Sequence, residues 1–582
     1  MKRAISVLLL LTAIPALADE ADKLHQLFED EWQWTMENYP TYATYVGYPG
    51  QNDRWTDMSL DAIARREAHA RDVLDKIQAI DRSQLSDTDQ LNYDLFLHQA
   101  QMDVEGAAFP DELLPLNQLQ GVQQDIAQTI SYTRLNNLAD YEDLLKRLQR
   151  ADARIEQEIA LLREGLDRGI TAPKIVLRDV PEQVQNQIVD DVTTSPLYRP
   201  FTKFPESIPK ADQNRLQTVA KEAITNKIFP AFQQLHDFLV RDYIPNARQS
   251  IARTELPQGD DWYAYNIKAR TTTDMTAQEI HDLGLSEVKR IRKEMEKVID
   301  QAEFDGDFAE FTEFLRTDDQ FYFDSADELL MAYRDIAKRA DPELMKLFGT
   351  LPRTPYGVIP VPSYAEKSQT TAYYMPGSPD SARPGYFYAN TYALDTRPKW
   401  EMEALTLHEA VPGHHLQISR AQELEGIPEF RRWGGPTAYV EGWGLYAESL
   451  GEEMGFYQDP YSKFGQLTYE MWRAVRLVVD TGMHALGWSR QEAIDFFAEN
   501  GSKPIHDITV EIDRYIVWPG QALAYKIGEL KFKELRQRAK TELGENFNIR
   551  QFHDACLLQG ALPLDILEHQ IEQWIAEQKA NR

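Results

Sequence analysis

Leu407-His408-Glu409-Ala410-Val411-Pro412-Gly413-His414-His415-Leu416-Gln417 places three imidazoles and a carboxylate within eight residues. In the familiar His-Glu-x-x-His helix the histidines lie four apart, so one turn brings both rings to the same face and to one zinc ion. Here His414 follows His408 by six, which on an unbroken helix turns it roughly a third of a turn away. His415, seven after His408, faces the right way but lies about 10 Å further along the axis. Pro412 has no N–H to give the preceding turn, and Gly413 tolerates unusual dihedrals. The spacing therefore predicts a local two-residue bulge that returns His414 to the place of a normal fifth residue. His408 and His414 are then metal ligands, with His415 the alternative to His414. Glu409, on the turn between, is the base for a metal-activated water.

Two histidines leave a site incomplete, and a third ligand has to come from another helix. Tyr439-Val440-Glu441-Gly442-Trp443-Gly444-Leu445-Tyr446-Ala447-Glu448 supplies one, after a chain reversal at Gly434, Gly435 and Pro436. Glu441 is read as the ligand. Glu448, two turns later on the same face, is read as its support, orienting a ligand from behind. The ligand set of two histidines and one glutamate favours Zn²⁺ as the cofactor.

These residues carry a resemblance. His408-Glu409-Ala410, Pro412-Gly413-His414-His415 and Gln417, followed by Glu441-Gly442-Trp443 and Leu445-Tyr446-Ala447-Glu448, resemble the bacterial family called domain of unknown function 885 over nearly the whole chain. The catalytic half is more distantly similar to the helical zincin peptidases, including carboxypeptidase Taq, angiotensin-converting enzyme and thimet oligopeptidase. That resemblance implies a mainly α fold: a large zincin-like helical body with a channel and a small β-sheet beside the metal helix. It also implies a late tyrosine that donates to the oxyanion of the tetrahedral intermediate. Tyr525-Lys526-Ile527-Gly528 is similar to the Tyr-x-Leu-Gly of the Taq carboxypeptidases, which gives Tyr525 that role, with Tyr515 second. Arg514 and Lys526 are candidates for holding a substrate carboxylate. With Tyr515 and Asn390 they form the expected substrate-binding set.

The chain opens with Met1-Lys2-Arg3, an apolar run from Ile5 to Leu17 and the small-x-small Ala16-Leu17-Ala18, the pattern of a secretory signal peptide over residues 1–18. No cysteine follows that site, so a lipid anchor is not expected, and no later run is long and apolar enough to span a bilayer. The expectation is a periplasmic or secreted protein without a stable membrane anchor. Lys+Arg 62 against Asp+Glu 93 gives a net charge of −31, which disfavours nucleic acid and anionic membranes as partners. A peptide substrate suits the chain better. The single Cys556 excludes an internal disulfide and reads as a core residue.

From 19 to 270 the pattern is helical: Leu24, Phe28, Trp32 and Met36, then Leu138 through Leu166, then Ile224, Ile228, Leu235 and Leu239. Thr276 and Glu279 form a capping box that opens a new amphipathic helix, so a catalytic region is placed at 271–582. Tyr356–Pro362 and Gly385–Tyr392 read as short strands, the second an edge strand able to hold an extended peptide through its backbone. In the helix from 469 to 486, Arg476 and Asp480 are spaced to pair across one turn, and His484 reads as a core histidine. The functional expectation is a zinc metallopeptidase acting on short peptides, of oligopeptidase or carboxypeptidase type. The alternatives are a zinc amidohydrolase on a non-peptide amide and a peptide-binding protein without turnover.

Overall fold

The apolar recurrence of Leu24, Phe28 and Met36 forms the first helix, Glu20–Asn38, whose N-terminus is capped by the Asp19 carboxylate accepting from the Asp22 amide. The structure is a computed structural model and describes residues 19–362, 366, 370–377 and 383–580. The signal-peptide expectation for 1–18 lies outside the described residues. Most of the rest is helix, with one small sheet, so the chain is mainly α. No described helix is long and apolar enough to cross a membrane.

The stripe from Leu138 to Leu166 is two helices, Leu138–Leu148 and Ala151–Arg168, the second closed by Gly169 in the left-handed conformation at φ +70°. Thr276 and Glu279 make the expected reciprocal cap, and Ala277–Gln301 follows. That helix packs along Pro460–Ala485, and the largest apolar cluster draws on Leu144, Phe232 and Ile291 together with Val475 and Ile512. That cluster draws on residues from both sides of residue 271, where one helix gives way to the next.

The sheet has three strands: β1 (Tyr356–Pro360), β2 (Ala372–Met375) and β3 (Gly385–Ala389), in the order β1-β3-β2. β3 runs parallel to β1, with Tyr356 opposite Gly385, and antiparallel to β2, with Ala372 opposite Ala389. This corrects the edge-strand expectation. β3 is central, its backbone engaged on both sides, and β1 and β2 are the outer strands. Phe387 and Val358 turn into a second apolar cluster shared with Leu405, Leu407 and Trp443, which seats the sheet beside the helices of the candidate site.

Two further helices, Thr437–Ser449 and Ala524–Leu543, cross at Gly442 and Gly528. A Cβ on either glycine would run into the other helix's backbone: Gly528 on Gly442, or the Ala438 carbonyl on Gly528. This close crossing sets the position of Glu441 relative to Tyr525.

Candidate metal centre

The helix Met402–Glu409 carries His408 and Glu409 on its last turn and then stops. It does not bulge and continue, as the spacing suggested. Ala410 leaves the helical region at φ −100°, ψ −112°, the Val411–Pro412 peptide is cis, and a new helix, His414–Gln422, begins after Gly413. Pro412 cannot donate to the preceding turn, so the ladder ends there. The Trp443 indole N–H donates to the Pro412 carbonyl at 2.9 Å and fixes the turn against the second helix. A Cβ at Gly413 would collide with the carbonyls of Leu407 and His408. The outcome for the ligands is nevertheless the one the bulge was meant to provide: His414 comes back beside His408, their ring centroids 4.6 Å apart.

Glu441 completes the group. Its Oε2 lies 3.4 Å from His414 Nε2 and 3.8 Å from His408 Nε2, and the three atoms fall within 4.8 Å of one another. Tetrahedral coordination with bonds of ~2.0–2.1 Å separates ligand atoms by about 3.3 Å, so the donor set has the span and the chemistry for a small divalent metal. His408 is oriented from behind: its Nδ1–H donates to Glu448 Oε1 at 2.8 Å, which turns Nε2 toward the cluster. Arg473 reaches the same Glu448 oxygen at 3.6 Å. Gly444 gives the imidazole its space, because a Cβ there would sit 2.8 Å from His408 Cε1.

The electrostatics favour positive charge at the centre. Burial works to strip the His408 imidazolium of its proton, but the bonds to Glu441 and Glu448 prevail and push its pKa up to about 10. Burial likewise opposes ionisation of Glu441, and the two imidazoles outweigh it, holding the carboxyl well below its usual range. Glu409 is almost buried, and its carboxylate has no protein hydrogen bond among the described residues.

His415, the alternative ligand, is turned the other way. Its Nδ1 lies 2.9 Å from the Tyr374 hydroxyl on β2 and 3.3 Å from Ser419 Oγ, and burial pushes its pKa down to about 4. It stitches the site to the sheet as a neutral ring. Tyr374 was missed in the sequence, since β2 is four residues long and has no alternation to mark it.

Tyr525 stands one side chain beyond the second layer of the cluster. The guanidinium of Arg473 lies 5.8 Å from its ring centroid, that of Arg476 4.4 Å, and the hydroxyl accepts from Arg514 at 3.2 Å. Arg514 also donates to Gln521 at 3.1 Å, so it positions the phenol as well as facing outward in part.

The rest of the expected substrate-binding set is corrected. Lys526 has no exposed surface, and its ammonium is held by Glu529 at 2.7 Å, Glu470 at 2.8 Å and Glu287 at 3.0 Å, which leaves nothing for a substrate carboxylate. The Tyr515 hydroxyl is buried and accepts from Arg476 at 2.7 Å and Trp472 at 2.9 Å. Asn390 is buried with its amide donating to the Glu366 carbonyl at 2.8 Å, tying down the chain after β3. The Arg476 to Asp480 pair does not form. Arg476 goes to Tyr515 and Glu511, and Asp480 accepts from the Tyr263 hydroxyl at 2.6 Å and the Gly520 amide at 3.1 Å. His484 is the core residue expected, accepting from the Arg253 amide and donating to the Tyr515 carbonyl at 2.9 Å. Cys556 is fully buried.

The profile of the family described as "Bacterial protein of unknown function (DUF885)" matches residues 40–571, an interval that takes in His408, His414 and Glu441. The chain belongs to the DUF885 family. Among solved structures this DUF885 protein is similar to a candidate lipoprotein from Colwellia psychrerythraea, with 26% identity over 96% of this chain and 100% of that one at a TM-score of 0.91. It also shares its fold with a candidate lipoprotein of unknown function from Shewanella oneidensis, at 18% identity, the same coverage and a TM-score of 0.72. No curated protein matches the chain.

Proposed function

We propose that this DUF885 protein is an exported zinc-dependent metallopeptidase that hydrolyses short peptides. The observation that carries the reading is the convergence of His408 Nε2, His414 Nε2 and Glu441 Oε2, with Glu409 next to His408 and, among the described residues, without a hydrogen-bond partner for its carboxylate. His408, His414 and Glu441 would hold the metal, which when bound supplies a Lewis acid that polarises the scissile carbonyl and acidifies a water.

The remaining work falls to the chain itself. Glu409 takes a proton from the attacking water and returns it to the leaving amine nitrogen. A carboxylate already engaged in an ion pair would be a poorer base, which gives the unpaired state of Glu409 its significance. Tyr525 donates its hydroxyl to the oxyanion, a contribution of about 3 kcal/mol for a well-aimed donor. Arg514 positions that hydroxyl. Glu448 keeps His408 in the tautomer that presents Nε2, and Arg473 lies 3.6 Å from the same Glu448 oxygen.

Export is supported by the basic and apolar start of the sequence and by the description of the Colwellia relative as a candidate lipoprotein. A channel leading to the site belongs to the same proposal. The test is elemental analysis together with hydrolysis of a mixed short-peptide library, on the parent and on Glu409→Gln. One zinc per chain in both proteins and cleavage only by the parent is the expected result. Equal cleavage by the variant would remove Glu409 from the mechanism, and absence of metal from both would end the reading.

A further inference from the structure

A cavity of ≈ 950 Å³ opens in the N-terminal half, between the first helices and the segment from Asp103 to Tyr132. It is at the upper end of the ~300–1,000 Å³ of small-ligand sites, a size that suits several residues of extended peptide. Its walls are of two kinds. Tyr42, Tyr45, Trp55 and Tyr132 offer ring surface, with Tyr42 and Tyr45 6.4 Å apart and nearly parallel and Tyr45 5.7 Å from Tyr132. Glu31, Glu67, Asp103, Asp111, Glu112 and Asp125 bring six carboxylates, against two guanidiniums, Arg66 and Arg154.

Three of these groups already have partners: Arg154 pairs with the buried Glu158 at 2.7 Å, Asp111 with Arg253 at 3.4 Å, and Glu31 with His69 at 2.5 Å. Among the described residues no cation pairs with the carboxylates of Glu67, Glu112 or Asp125. Asp103 accepts only from the neutral Gln99 amide, at 2.8 Å. Asp103 and Asp125 have exposed surface, yet burial pushes both carboxyls up, Asp103 to about 6, as expected of groups that face a confined recess and not open solvent. Tyr45 lies on the cavity wall, and Tyr374, on β2, is the residue bonded to His415, next to His414.

We propose that this cavity is the binding site for a cationic segment of the peptide, its ammonium or guanidinium groups set among the carboxylates and over the tyrosine and tryptophan rings. The aromatic faces and the carboxylates attract the same chemistry, since a cation gains from both. The preferred ligand is then a basic oligopeptide. Its role as substrate rests on the peptidase reading; its binding does not.

The experiment separates the two. Calorimetry on the intact Glu409→Gln protein compares three hexapeptides: alternating lysine and alanine, acetylated and amidated; the same peptide with glutamate for lysine; and hexa-alanine with a free amino terminus. The lysine peptide, or the free-amine peptide if the cation is the α-ammonium, is expected to bind at least tenfold tighter than the glutamate peptide. In the Asp103→Asn, Asp125→Asn double variant that preference is expected to fall below about threefold. Equal affinity for the three peptides overturns the inference, as does a preference that survives in a double variant with parental thermal stability. If the parent enzyme cleaves no peptide while the lysine preference holds, the peptidase reading fails and this one stands.

Discussion

The Glu448 carboxylate accepts the Nδ1–H of His408 at 2.8 Å from a position with no solvent exposure, and that single bond selects which nitrogen of His408 faces Glu441 and His414. Replacing Glu448 by Gln keeps the shape but removes the charge that makes His408 a basic ligand. Metal affinity is expected to fall about 10–100-fold, measured by competition with a chromophoric chelator, while the thermal midpoint moves little. An unchanged affinity would show that the tautomer is set some other way.

Lys526 tests the correction to the substrate-binding set. Lys526→Met leaves Glu287, Glu470 and Glu529 without their shared cation. The expected cost is about 3–5 kcal/mol, seen in denaturant unfolding, with peptide affinity of the folded fraction unchanged. A stable variant with weakened binding would return Lys526 to the site.

The helix crossing is a second structural test. Gly528→Ala drives a Cβ into the Ala438 carbonyl. Although alanine is the better helix former by about 1 kcal/mol, overpacking should outweigh it and destabilise the protein by about 1–3 kcal/mol. The displaced Glu441 should weaken metal binding in the same variant.

Stability should carry a pH signature from Asp480. Burial raises its pKa to about 7, above the ordinary 3.8, although the Tyr263 hydroxyl and Gly520 amide work the other way. A raised acid binds its proton more readily in the folded chain, so its contribution is fully present below about pH 4 and is lost as pH rises toward 7. Relative to Asp480→Asn, the parent is expected to lose about 1.4 kcal/mol of stability per pH unit across that window. Equilibrium unfolding of both proteins at several pH values between 4 and 7 reads this. A flat difference would mean that Asp480 is not forced neutral.

The cluster of His408, His414 and Glu441 was legible because each sits in a local pattern: a His-Glu pair before Pro-Gly-His, and a glutamate after a Gly-Gly-Pro reversal. Residue spacing alone could not show that the first helix ends at Glu409 and another begins at His414, since a bulge and a break satisfy the same six-residue interval. The partners of Arg476 and Asp480 were illegible for a different reason. An i,i+4 pair competes with distant groups, and here Glu511, Tyr515, Tyr263 and Gly520 win. Lys526 had the same fate, its surroundings assembled from three helices. β3 was recognised as a strand but placed at the edge, because β2 contributes only Ala372–Met375 and its pairing is set by packing, not by its own sequence.

The most direct measurement is metal stoichiometry in the parent, His414→Ala and His415→Gln. The account expects one metal per chain in the parent and in His415→Gln, whose ring faces Tyr374 and Ser419, and less than one tenth of that in His414→Ala. A His414→Ala protein that keeps its metal, or a folded His415→Gln protein that loses it, would contradict the assignment of the centre.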